Sequence, residues 1–127
     1  MSRKIFTRLA CLCGLLTLSG LPLAAQAHHS FAMFDNKQIV TVKGTVNKVE
    51  WGNPHVYFFV DVKDAQGSVT QYALECGSIN ILLRKGWKAN SVKVGDTVSA
   101  DINPLRNGNA GGLLKTMTLP SGAKLEG

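Results

Sequence analysis

The sequence predicts a mainly β fold, a small OB-fold-like five-stranded barrel with one short helix between strands 3 and 4, preceded by a signal peptide and an N-terminal arm. Three observations predict it. Five stretches alternate apolar and polar residues with a period of two, a single short apolar segment with helix-cap signals follows the third stretch, and turns rich in Gly, Asn and Pro separate the rest. Three strands, a helix and two strands is the OB order, in which closure removes exposed sheet edges. An open β-sandwich built from the same elements is the rival architecture.

The first strand runs from Ile39 to Trp51, where Val40, Val42 and Val46 alternate with Thr41, Lys43 and Asn47, and Gly44 marks a bend or bulge. Trp51-Gly52-Asn53-Pro54 turns the chain into a second strand, His55 to Val62. There Val56, Phe58, Val60 and Val62 share one face and His55, Tyr57, Phe59 and Asp61 the other. Asp64-Ala65-Gln66-Gly67 closes a hairpin onto a third strand, Val69 to Glu75, whose Tyr72 and Leu74 can join the Phe58 face. Ser78 is placed to cap a helix of about two turns that Gly86 ends. Val98, Ala100 and Ile102 mark the fourth strand, Asn103 to Gly112 a loop, Leu113 to Leu119 the fifth strand, and the rest a short tail.

Residues 1–27 read as a secretory signal. Arg3, Lys4 and Arg8 precede the apolar stretch Leu9 to Leu18, and Ala25-Gln26-Ala27 offers small residues at the cut. Gly14, Thr17, Ser19, Gly20 and Pro22 interrupt that stretch, which is shorter than the ~20 residues a membrane span needs. Cys11 and Cys13 do not fit a lipidation site and leave with the leader. The expectation is a periplasmic protein without a stable membrane anchor, made of an arm over 28–37 and one barrel domain over 38–127. Phe31 and Phe34 would order the arm. Cys76 is then the lone cysteine, so no intramolecular disulfide can form.

The formal charge is +6, but three of the fourteen basic residues lie in the leader. What remains is a weak electrostatic argument for a polyanion, and with export it leads to the expectation that nucleic acid is not a partner. Trp51, Trp87, Tyr57 and Phe59, beside Arg84, Lys85 and Lys88, could still line an OB-type groove, although such aromatics commonly belong to a core.

Three histidines are available for chemistry: His28, His29 and His55. Cleavage after Ala27 would give His28 a free α-amine, with a pKa of about 7.7, beside its own imidazole. One residue then supplies two nitrogens, and His55 can supply a third in a plane that suits Cu(II), a histidine brace. His29 is the alternative ligand, and it becomes the third residue of a flexible amine-imidazole motif if cleavage follows Gln26 instead. The plainer alternative is a polar, uninvolved start to the arm and a strand-end His55. Strand parity places Glu75 on the face of His55, where its carboxylate could accept the other ring N–H. Cys76 would complete a thiol, imidazole and carboxylate set, but a lone strand-end cysteine is more often a small buried residue.

Several segments together resemble the domain of unknown function 6152 family. They are His28-His29-Ser30-Phe31 with Phe34-Asp35, Gly44-Thr45-Val46, Trp51 with Asn53-Pro54-His55, Ala73-Leu74-Glu75, Gly77-Ser78, Gly86-Trp87, Gly95-Asp96, Pro104-Leu105-Arg106 and Gly111-Gly112-Leu113-Leu114. Ile79 and Asn107 stand where the family tends to have Pro and Asp. The resemblance implies an exported single domain in which His28, His29, His55 and Glu75 are family features, and it implies no activity. The expected function is a metal carrier or resistance accessory, with copper the expected metal, rather than an enzyme. A periplasmic protein partner fits either reading. The alternative is a metal-free module that recognises a protein or glycan through Trp51, Asn53, Tyr57, Trp87, Arg106 and the 103–112 loop.

Overall fold

The computed structural model describes residues 31–127. The expected signal segment, His28 and His29 lie outside these residues. Six strands and one helix follow in order: β1 (Val40–Glu50), β2 (Tyr57–Lys63), β3 (Val69–Glu75), α1 (Ile79–Arg84), β4 (Thr97–Pro104), β5 (Gly111–Thr118) and β6 (Lys124–Glu126). Strands β3-β2-β1-β4-β5 form one antiparallel sheet, and a parallel pairing of β3 with β5 closes it into a five-stranded barrel. Closure leaves β1 to β5 without a free lateral edge over the paired stretch, which is the expected OB arrangement and not an open sandwich.

The closing seam explains the paired glycines. Ala73, Leu74 and Glu75 pair with Gly111, Gly112 and Leu113. A Cβ on Gly111 would stand 2.7 Å from the Ala73 carbonyl oxygen, and one on Gly112 would run into the carbonyl oxygen of Asn103. Only glycine lets the backbones come this close. Gly44 serves the same purpose where β1 crosses β2, and β1 bulges just beyond it, between Val46 and Lys48.

The period-two pattern sets the core. Val42, Val46, Val56, Phe58, Val60, Leu74, Val98, Ala100, Ile102, Leu114 and Met117 are all buried. Helix α1 closes one end of the barrel through Leu82, and Trp87, just beyond it, stacks on Phe58 with ring centroids 5.2 Å apart. The helix stop follows the expectation for Gly86. With φ at +90° it turns the chain so that its own N–H reaches the Leu83 carbonyl and the Trp87 N–H reaches that of Leu82. These two bonds make a Schellman motif, with Trp87 packed over the last turn.

Four details correct the expectation. The helix start is capped from a distance: the Ser78 side chain makes no capping bond, and Oδ1 of Asn53 accepts the Ile79 N–H at 3.1 Å instead. His55 lies before β2 rather than in it, since the β2–β1 pairing begins at Tyr57. The 103–112 loop is shorter than expected, because β4 runs to Pro104 and β5 begins at Gly111. The tail contains β6, which pairs with β5 through Leu125 and Met117.

The arm packs on the barrel as expected, although its two phenylalanines part company. Phe34 is buried and forms an antiparallel bridge with Leu105, whereas Phe31 is 58% exposed. Asp35 N–H donates to the Pro104 carbonyl and Arg106 N–H to that of Met33, so residues 33–35 run along the 104–106 segment.

Candidate functional site

His55 is set by its neighbours on both sides. Val56 N–H donates to the Gly77 carbonyl and Cys76 N–H to that of Val56, which extends the β2–β3 ladder past its regular end. The Asn53 cap ties the preceding loop to α1. The His55 ring is therefore anchored through backbone on either side, the condition a positioned ligand needs.

One ring nitrogen is committed. Nδ1 lies 3.0 Å from the Cys76 carbonyl oxygen, and because a carbonyl can only accept, Nδ1 carries the hydrogen. In the neutral ring the lone pair then sits on Nε2, the tautomer a metal ligand requires. Glu75 Oε1 lies 3.4 Å from the same Nδ1, at the long end of contact. The sequence expectation that Glu75 would meet this ring is met in place, with the Cys76 carbonyl as the shorter partner. In the β2–β3 register Leu74 lies opposite Phe58, and Glu75 opposite Tyr57.

That register makes a short chain of polar groups. Tyr57 O–H donates to Glu75 Oε2 at 2.8 Å. Burial, followed by the hydrogen bond to Glu75 and the charge of that carboxylate, pushes the Tyr57 pKa up to about 12. The phenol therefore stays protonated and keeps donating at any ordinary pH. Cys76 faces the core, and its thiol pKa is raised mainly by burial and further by the Glu75 charge. A buried thiol held in the protonated form is a poor nucleophile, which disposes of the thiol, imidazole and carboxylate reading.

His55 and Glu75 line a pocket of about 350 Å³. Its remaining wall combines apolar groups from Pro54, Ile81 and Leu113 with the polar side chains of Ser78 and Lys115, and Phe31 of the arm closes one side. Sequence reasoning named His55 and Glu75 but missed Phe31, Ser78, Ile81, Leu113 and Lys115. With His55 and Glu75 they come from four separate segments, the arm, the loop before β2, the end of β3 with α1, and β5, and the pairing of Glu75 with Leu113 is what brings two of those segments together. No group of three or more His, Cys, Asp or Glu gathers for a metal among the described residues. His55 is the one expected ligand within them.

The residues expected to form a recognition surface have structural roles in the fold. Trp87 is 1% exposed and its Nε1 donates to the Glu126 carbonyl, so it is a core side chain. Trp51 packs partly buried against the core. Asn53 caps α1 and Tyr57 holds Glu75. Arg106 clamps the arm: its Nε donates to the Ala32 carbonyl at 3.1 Å and its Nη2 lies 3.8 Å from Asp35.

A family model described as a family of unknown function (DUF6152) matches residues 16–116. No curated protein matches the chain. Among solved structures, the chain is similar to the mitochondrial single-stranded DNA binding protein Rim1 from S. cerevisiae. The identity is 12% and the TM-score 0.50, over 65% of this chain and 93% of that one. At this identity the likeness establishes the shared OB-type barrel. It also corrects the expectation that nucleic acid is no partner. A scaffold of this form serves a single-stranded DNA binding protein, and the weak charge argument does not set the present chain apart from that class.

Proposed function

The chain belongs to the DUF6152 family of unknown function, and from the geometry of its own residues we propose that it is a periplasmic metal-binding protein, with copper as the metal. His55 Nε2 would be one ligand, and the α-amine and imidazole of His28, freed by cleavage after Ala27, would be the others. The observation that carries this reading is the place of Phe31 on the wall of the His55 pocket. His28 lies three positions before Phe31, and three residues of chain span at most about 11 Å. The arm is pinned to the barrel from Met33 onward, so only a short segment would have to bring His28 to His55. Three nitrogens with an open position suit Cu(II), while Glu75 and the Cys76 carbonyl fix the tautomer of His55. His29 is the alternative ligand. The protein is read as a carrier or resistance accessory rather than an enzyme.

Protein exported without a tag tests this reading. N-terminal sequencing should begin at His28, and metal analysis should find one copper per chain. Retention of Met1 would remove the amine ligand and with it the brace. A copper-free protein that instead binds a single-stranded oligonucleotide tightly, with affinity falling steeply as salt rises, would assign the barrel to nucleic acid.

A further inference from the structure

The pocket beside His55 holds more than a metal ligand needs. Its wall carries two polar groups that the fold leaves unused. Ser78 occupies the N-cap position of α1, yet its side chain makes no capping bond, because Asn53 has taken that place. Lys115 is exposed on β5 and has no carboxylate within ion-pair distance among the described residues. Of the acidic and carbonyl groups on the wall, Glu75 already receives the Tyr57 hydroxyl and faces the His55 N–H, and the Gly127 carbonyl accepts from Lys85 Nζ. A hydroxyl and an ammonium thus remain as donors in a cavity whose other surfaces are mainly apolar. Two of those surfaces, Phe31 at 58% and Ile81 at 39% exposure, are large apolar side chains left open to water at the rim.

We propose that this pocket binds a small amphipathic carboxylic acid, with its carboxylate held by Lys115 and Ser78 and its apolar body laid against Phe31, Ile81 and Leu113. A volume of about 350 Å³ lies at the small end of ligand cavities, which suits a medium acyl chain or a single substituted ring rather than a polymer. The acid supplies the negative charge that Lys115 lacks, and its chain covers the rim residues that the barrel does not. This site does not depend on copper, although it shares the wall formed by His55. An acid bound there stands beside Nε2, so a metal held at that nitrogen would meet it.

Calorimetric titration of copper-free protein with octanoate, with octanol as the uncharged control, tests the proposal. Octanoate should bind one-to-one with saturation below about 1 mM, and octanol at least about tenfold more weakly. Lys115→Glu and Ile81→Asp both change exposed side chains that the fold does not need, and each should weaken octanoate binding about tenfold or more. Ser78→Ala should weaken it by a smaller factor. Equal binding of octanoate and octanol, unchanged affinity in Lys115→Glu, or no saturable binding at all would each overturn the assignment. Because no metal is present, none of these results depends on whether the copper reading holds.

Discussion

The wall of the barrel and the end that carries His55 are built on opposite terms. In the wall, the inward-facing apolar side chains are spent on packing: Phe58, Val60, Leu74, Ile102 and Met117 are at most 1% exposed. Even the polar tip of Trp87 is taken up by a carbonyl. At the pocket, Phe31 and Ile81 face water, Ser78 forgoes its cap, Lys115 has no carboxylate partner among the described residues, and His55 commits one nitrogen while keeping the other. The difference teaches where to look for function in a fold of this size. At this pocket, polar and apolar groups that stability does not use stand together, and the groups that stability does use hold them in place.

The largest expected effect lies in the wall. Trp87→Ala removes the side chain stacked on Phe58 and should destabilise the fold by about 3–5 kcal/mol. Ile81→Ala at the pocket rim should change stability by no more than about 0.5 kcal/mol. Urea denaturation of both variants measures the contrast. Comparable losses in the two would erase the distinction between wall and pocket.

A smaller effect sharpens the boundary between them. Asn53→Ala deprives α1 of its cap and should cost about 1 kcal/mol, while Ser78→Ala should cost close to nothing. The same denaturation experiment reads both. A larger loss in Ser78→Ala would return the cap to the position the sequence suggested and remove the spare hydroxyl from the pocket.

The third effect is visible only in alkali. The Tyr57 phenol has a pKa near 10 in the unfolded chain and about 12 in the folded one, so the unfolded state loses its proton first. The contribution of Tyr57 is complete below pH 10 and declines as pH rises towards 12. Spectrophotometric titration should show a phenol ionising near pH 12, and Tyr57→Phe should abolish that step. If the step persists in Tyr57→Phe, the phenol ionising near pH 12 is not Tyr57, and burial with the Glu75 hydrogen bond does not raise it.

How much of this was legible in the sequence follows from the range of each signal. Alternation along Val56, Phe58 and Val60 is local and repeats, so the strands and their buried face could be read directly. Gly86 after a short apolar run carried the helix stop for the same reason. The three residues of β6 are too few to show a period. The Asn53 cap spans 26 residues of sequence, so the nearby Ser78 looked like the better candidate. Trp87 next to Lys88 resembled an exposed aromatic and basic pair, but its indole is buried against Phe58. At the site, parity brought His55 and Glu75 to one face. The rest of the pocket exists only because β3 meets β5 at Glu75 and Leu113, a parallel contact that no local pattern announces.

The central claim is that the arm and the barrel share one metal. Copper titration of untagged protein beginning at His28, followed by electron paramagnetic resonance of the wild type and His55→Ala, tests it most directly. The wild type should take up one Cu(II) with a signal dominated by nitrogen ligands, and binding should weaken below about pH 6 as the amine and imidazoles take up protons. His55→Ala should weaken binding by at least about tenfold and alter the signal, as should one extra residue placed before His28. An unchanged affinity and spectrum in His55→Ala would show that the arm binds copper by itself, and the barrel would have no part in the site.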